Sequence, residues 1–449
     1  VAVTLLDSVV FCDLFSTQAM RDIFSDKQRV QYYLDVEAAL AKVQARLGII
    51  PEEAAKEICS HCNADEIDFV RLKAQTELIG YPVFGVVQQL VALCDKGLGQ
   101  WCHWGTTTQD ITDTATVLQI RAALELIETD VEAISITLAK LAKAYRDTPM
   151  VARSNLQQAV PITFGYKAAV WLAGFHRHQQ RLEEIKKRAL VGEFGGAAGN
   201  LASLGNQGLA VQAGIMEELR LGKPCIAWHT MRDRITEVAC LLGLITGTLG
   251  KIALDIKLMA QTEVGEVTEP FTSGRGASST MPQKHNPVSS VYISGIVPII
   301  RQQVAALLNA MEEDHERATG AWEIEWVVLP EIFCLSAAAL AQARFALSGL
   351  NVHPENMMRN LKLTGGQVSS EAVMMGLGPK IGREKAHDLV YQICCDAVES
   401  GQSFAELLKQ NPEVSANLSS SEVDELLDPK NYLGLCGEMV DRTLAGKER

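Results

Sequence analysis

The chain has 449 residues, with 41 Lys and Arg against 54 Asp and Glu, a formal net charge of −13. That balance argues against nucleic acid as the main partner, because phosphate binding needs a basic face. It leaves small anionic substrates open, since a local cationic pocket can oppose the global field. With 47% apolar and 21% charged residues, the composition is that of a globular protein and excludes disorder over most of the chain.

Residues 1–15 are apolar but broken by Asp7 and Asp13, with no basic segment ahead of them, so they do not read as a signal peptide. No uninterrupted apolar run reaches membrane-spanning length. The expectation is a cytoplasmic protein without a membrane partner. The 11 cysteines are scattered. Cys59 and Cys62 form a C-x-x-C with no second pair or His pair to complete a metal site.

Residues 1–105 read as short amphipathic helices, among them 27–47 and 51–59. Strand signals are scarce throughout. From 113 to 145 the apolar residues Val117, Leu118, Ile120, Leu124, Ile127, Val131, Ile134, Leu138 and Leu141 recur every three or four positions. With no Pro or Gly inside, that helix would run roughly 50 Å. Four more long helices are predicted: 162–190 just after Pro161, 232–264, 288–311 after Pro287, and an Ala- and Leu-rich stretch from Pro330 to 350. Residues 232–264 are apolar nearly all round. Helices of that kind must be buried on all sides, and one chain has little to cover five of them, so an oligomer is expected. Beyond 352 lie shorter helices, including 383–399. A capping-box pattern stands at Ser419 and Glu422.

The densest chemical signal is Gly274-Arg275-Gly276-Ala277-Ser278-Ser279-Thr280-Met281-Pro282-Gln283-Lys284-His285-Asn286-Pro287. Small residues lead into hydroxyls, a cation, an amide and a Pro that starts a helix. This suits a loop closing over an anion, with hydroxyls and backbone N–H groups brought to it and Lys284 as a point charge.

GASSTMPQKHNP resembles the signature of the fumarase/aspartase superfamily, G-S-S-x-M-P-x-K-x-N-P. Two further blocks stand in the expected order: His103 to Asp110 (HWGTTTQD) and Ser154 to Pro161 (SNLQQAVP). Gln261 to Pro270, Gly382-Arg383 and Ala386-His387 extend the likeness over most of the chain.

The resemblance implies an all-α fold of three domains, here 1–105, 106–351 and 352–449. Its long central helices join in a homotetramer with a twenty-helix core. Each active site takes the three blocks from three subunits. The family abstracts a proton alpha to a carboxylate of a small di- or tricarboxylate, with no metal or organic cofactor. By likeness Ser278 is the general base, which needs a dry site and a nearby cation. Lys284 and Asn286 clamp the carbanion. Thr107, Thr108 and Gln157 hold substrate carboxylates, and Ser279 and Met281 on the loop are grouped with them. His103 is a second catalytic candidate, the alternative being a structural His beside Trp104. Arg232 is a candidate for a substrate carboxylate, the alternative being a solvated helix face. His229 and His315 stand beside Arg232, Asp233, Glu316 and Arg317, a setting that suits interface ion pairs equally well. Gly195 to Gly199 is a short Gly-rich connection near the site rather than a phosphate loop. Trp322 and Trp326 read as packing.

Departures narrow the expectation. In the second block Asn155 stands where the lyases carry His, and Asn cannot act as a general acid near neutral pH. Val291 stands where its Glu partner is expected. The 3-carboxy-cis,cis-muconate cycloisomerase branch also lacks that His. It shares W-H-T-x-R-D-R with Trp228 to Arg234, H-E-R with His315 to Arg317, and Tyr432-Leu433-Gly434. Gln283, His285 and Glu323 differ from that branch. The expectation is therefore cycloisomerase-like lactonisation. The alternatives are an iminodisuccinate epimerase-like enzyme, a fumarate-releasing C–N lyase, or an inactive structural homologue.

Overall fold

The computed structural model describes residues 3–271, 275–277, 280–281 and 283–446, and these are mostly helical. Helix α1 (Asp26–Arg46) is capped by Ser25, whose hydroxyl accepts from the Gln28 N–H. Five helices of 22 to 37 residues follow: α2 (Thr108–Ala144), α3 (Phe164–Ala189), α4 (Asp233–Met259), α5 (Val288–Asn309) and α6 (Ala321–Ser348). The stripe on α2 is core, with Val117, Ile120, Ile127, Val131, Ile134 and Leu138 fully buried.

Two local expectations change. The helix predicted from 162 begins at Phe164, because the residues before it form a hairpin of β1 (Pro149–Ser154) and β2 (Gln157–Thr163). Asn155 and Leu156 make its turn with φ of 51° and 64°. Positive φ at both central residues is what a tight hairpin turn demands, and Asn tolerates it while Leu rarely does. The last long helix begins at Ala321, not Pro330, and carries the proline inside it. An interior proline costs about 3 kcal/mol. Burial of Trp322, Leu329, Ile332 and Phe333 on one face offsets that cost.

The chain forms two compact units. One comprises Val1–Val131, His178–Leu249 and Tyr292–Ala341, and the other Glu132–Arg177, Gly250–Val291 and Gln342–Arg449. In the first, polar contacts stitch the helices. The His178 ring meets the Thr248 hydroxyl at 2.8 Å, Thr236 donates to the Leu307 carbonyl, and Gln303 donates to Glu331. In the second, Phe164 packs edge-on against Tyr145 and Trp171, and the Trp171 indole donates to Asp255. A separate apolar cluster there includes Val373, Leu377, Val390, Phe404 and Val423. The capping box at Ser419 and Glu422 is present.

Helices α4, α5 and α6 are long and apolar enough to cross a membrane by length and composition, although charged residues interrupt them. The share of the apolar stretch buried within the chain is 67% in α6 but only 33% in α5.

Candidate active site

The first block forms the turn that leads into α2. His103 adopts φ of 57°, and its backbone N–H and ring Nδ1 both meet Glu37, the ring at 2.6 Å. Glu37 lies on α1 and is buried. Burial alone would lower the His103 pKa, but the Glu37 carboxylate outweighs it and holds the imidazole above its usual range. Gly105, at φ of 76°, lies so close to Leu204 that a Cβ would sit 2.6 Å from Cδ2. Only glycine fits there. Thr107 precedes the helix, and its hydroxyl accepts from Arg317 Nη1 at 3.0 Å. Thr108 opens α2 and is half-buried.

Asp110 organises this turn. Its Oδ2 accepts from the Thr106 hydroxyl, the Thr107 N–H and the Gly196 N–H, and its Oδ1 from the Gly195 N–H and His229 Nε2. The glycine run therefore wraps a protein carboxylate. Behind His229 stands Glu193, pushed up to about 7 by burial, which the nearby His229 charge only partly opposes. Among the described residues, Asp110, Glu193 and His229 are a group close enough to hold a metal ion. The 2.7 Å contact between His229 Nε2 and Asp110 Oδ1 is a direct hydrogen bond, which uses the ring nitrogen a metal would need.

Arg232 is placed differently from either expectation: it meets neither solvent nor an open cleft. It is fully buried, with Nη1 and Nη2 on Asp113 and Nε and Nη2 on Glu325, and it lies over the Trp228 ring. Glu313 adds a third carboxylate at 3.8 Å, pushed up to about 7 by burial despite the guanidinium. The Trp322 indole donates to Asp113 and packs on Trp326, as packing residues do. Arg232 thus balances protein carboxylates in the interior.

These residues belong to the first unit; the other two blocks lie in the second. Gln157 is exposed on the hairpin, paired with Ser154. Behind it Arg153 grips buried Glu266 with two bonds of 2.7 and 2.9 Å. In the signature loop Ala277 bridges to His285, and Asn286 donates from both backbone and side chain to the Gly276 carbonyl. Asn286 thus ties the loop base together. Lys284 and Met281 are exposed. Glu269 caps the start of α5, accepting from the Ser289 and Ser290 N–H groups. A protein carboxylate therefore already occupies that helix end. Arg275, His285, Asn286, Glu269 and Phe271 help line a cleft of about 320 Å³. Ser278 and Ser279 lie outside the described residues.

Sequence reasoning left Arg317 among candidate interface ion pairs. Its signal was its place in the matched H-E-R segment: a guanidinium in a motif of an acidic protein.

Residues 15–300 match the lyase family, and residues 366–443 match the adenylosuccinate lyase C-terminus. Trans-aconitate decarboxylase 1 of Mycosarcoma maydis is 56% identical over 433 residues, covering 96% of this chain and 88% of its own. The 3-carboxy-cis,cis-muconate cycloisomerase of Pseudomonas aeruginosa is 45% identical over 439 residues, covering 97% of this chain and 96% of its own. The crystal structure of 3-carboxy-cis,cis-muconate lactonizing enzyme from Pseudomonas putida is similar with a TM-score of 0.92 at 41% identity, covering 98% of each chain.

Proposed function

Because the chain belongs to the fumarase/aspartase superfamily and is an enzyme of it, we propose that it moves a proton at a carbon next to a carboxylate of a small unsaturated tricarboxylate, decarboxylating trans-aconitate. The observation that carries this reading is Arg317 on the Thr107 hydroxyl at 3.0 Å. A tricarboxylate entering a protein of net charge −13 needs local cations. At this one turn Arg317 supplies such a cation, whereas the His103 imidazole is already paired with Glu37. In the homotetramer that the resemblance implies, Lys284, Asn286 and Gln157 of other subunits complete the clamp.

The chemistry balances without a cofactor. The C–C bond to one carboxyl group breaks and that group leaves as CO2. Its electron pair becomes a new double bond. The electrons of the old double bond take a proton at the carbon next to a second carboxylate. Ser278, the base when a proton is removed, is by reversibility the donor when one is added. Such a reaction has no need for the missing His of the second block. The 56% identity of that relative supports trans-aconitate decarboxylation as the first reading. Lactonisation of 3-carboxy-cis,cis-muconate is the second reading, supported by the 45% identity of the cycloisomerase and by the shared W-H-T-x-R-D-R pattern.

The homotetramer has its own support. Val291, Ile299 and Leu308 on α5, Leu244 and Leu254 on α4, and Val327 on α6 are exposed apolar residues on long helices. Copies of the same helices would cover them. A mass in solution of four times 48.9 kDa is expected. Support for a cytoplasmic setting is that all the cysteines are unpaired.

The test offers each tricarboxylate separately, with a Ser278→Ala protein alongside. CO2 released from trans-aconitate by the wild type alone supports the first reading. Loss of diene absorbance from the muconate without CO2 moves the assignment to the cycloisomerase. Reaction with neither, in a protein of tetrameric mass, removes both substrates.

A further inference from the structure

The turn that presents Thr107 is held at its Trp104 and Gly105 carbonyls by Gln44 and Ser203, and at the Thr107 hydroxyl by Arg317. Asp110 takes the Thr106 hydroxyl and the Thr107 N–H, and what holds Asp110 lies deeper. Asp110, Glu193 and His229 are 0%, 1% and 4% exposed. His229 Nε2 bonds Asp110 Oδ1 at 2.7 Å, and Glu193 Oε1 stands 3.7 Å from the same nitrogen. That Oε1 is buried with no hydrogen-bond partner, so the ring is its polar neighbour. Glu193 Oε2 accepts the Trp228 N–H, and the Glu193 backbone is locked to Thr114 by bonds in both directions. The backbone of His229 is pinned as well, its carbonyl accepting from Gln109 at 2.9 Å and from Arg232 at 3.4 Å. The residue is thus pinned through its backbone carbonyl, and its ring bonds Asp110.

We propose that His229 is a positioning residue: through its bond to Asp110 it sets where Thr106 and Thr107 stand, and so how the site takes a substrate carboxylate. The role rests on the reading of Thr107 as a carboxylate holder. Asp110 accepts five hydrogen bonds, from Thr106, Thr107, Gly195, Gly196 and His229. Four of those donors belong to the turn and to the glycine run. His229 is the side chain that anchors the carboxylate to a third segment. The groups facing it are Asp110, Glu193 and Asp113 on the acidic side and the Arg232 guanidinium at its carbonyl. Burial alone would lower the imidazole pKa, but these carboxylates hold it above its usual range.

The test compares His229→Gln with His229→Asn. Both are uncharged and polar. The Gln amide reaches the place of Nε2 and can still donate to Asp110, whereas the Asn amide is too short. With the substrate that the wild type turns over, His229→Gln is expected to keep KM within about threefold, while His229→Asn raises it about tenfold or more with a smaller change in kcat. Amide exchange over residues 104–108 is expected to rise in the Asn protein and to stay protected in the Gln protein. A merely structural role would lower the melting temperature and the active fraction of both alike, with KM unmoved. Equal behaviour of the two variants, in KM and in exchange, overturns the proposal. If the Asn protein does not fold, His229→Gln decides: loss of protection over 104–108 with a raised KM overturns it, and retention of both supports it. The exchange readout needs no substrate. It therefore judges the positioning role even if neither tricarboxylate reacts.

Discussion

Two arginines from matched motifs, Arg232 and Arg317, have opposite fates in one unit of this protein. Arg232 is completely buried and spends its guanidinium on Asp113 and Glu325, with Glu313 close by. Arg317 is half-buried and reaches the Thr107 hydroxyl and the Ala197 carbonyl. The difference is in what each charge has for company. A guanidinium among buried carboxylates is an internal counter-ion. A guanidinium whose partners are neutral oxygens keeps its charge uncompensated and can turn to an anion that enters.

The comparison breaks most sharply at Arg232. Arg232→Met leaves Asp113 and Glu325 as buried charges without their partner, and a loss of about 3–5 kcal/mol is expected. Chemical unfolding would measure it. Adding Asp113→Asn and Glu325→Gln to the same protein should recover part of the loss, because the penalty is the orphaned charge rather than the lost attraction. A single Arg232→Met protein with wild-type stability and a raised KM would instead return Arg232 to the substrate.

Arg317→Ala should do the reverse. The melting temperature should stay close to wild type, since the side chain is partly exposed and its partners keep access to water. KM for the active tricarboxylate should rise about tenfold to a hundredfold, the worth of a charge-assisted bond. Arg317→Lys keeps the charge but loses the planar fork, so partial recovery is expected. Steady-state kinetics with a melting curve for each protein separates the two arginines.

How much of this was legible beforehand follows from the range of each interaction. The long helices were readable because a 3.6-residue repeat is local, as in Val117, Ile120, Leu124 and Ile127. The hairpin at 149–163 was missed because Asn155-Leu156 lacks the glycine that usually marks such a turn. The start of α6 was misplaced because Pro330 is a strong local stop signal, and the packing that overrides it is tertiary. At the site, the first block was legible as a motif, and the structure does gather His103, Thr107 and Thr108 on one turn. The roles of the arginines were not, because their partners are remote. Arg232 meets residues 119 and 93 positions away, and Arg317 meets one 210 away. A motif names residue types without saying which of them already has a counter-charge.

The smallest expected effect concerns pH, and it sharpens what a third carboxylate means beside Arg232. Glu313 is pushed up to about 7 from an ordinary 4.5, first by burial and then by Glu325, Asp113 and Glu323, with Arg232 opposing. A carboxyl group whose folded pKa is raised binds its proton more tightly in the folded chain. Its contribution is therefore present below the unfolded pKa and is lost as pH rises from about 4.5 through about 7. Glu193 behaves the same way, also pushed up to about 7, and the raised His229 and His103 imidazoles share the sign. The melting temperature is thus expected to fall between pH 5.5 and pH 8, by a few degrees. In Glu313→Gln the slope should be shallower, because one of the titrating groups is gone while the Arg232 bonds to Asp113 and Glu325 remain. An unchanged slope would mean that Glu313 stays ionised across this window and that Arg232 balances three charges at once. The guanidinium would then be shared more thinly than its two close pairs imply, and Arg232→Met would cost more than the pairs with Asp113 and Glu325 predict.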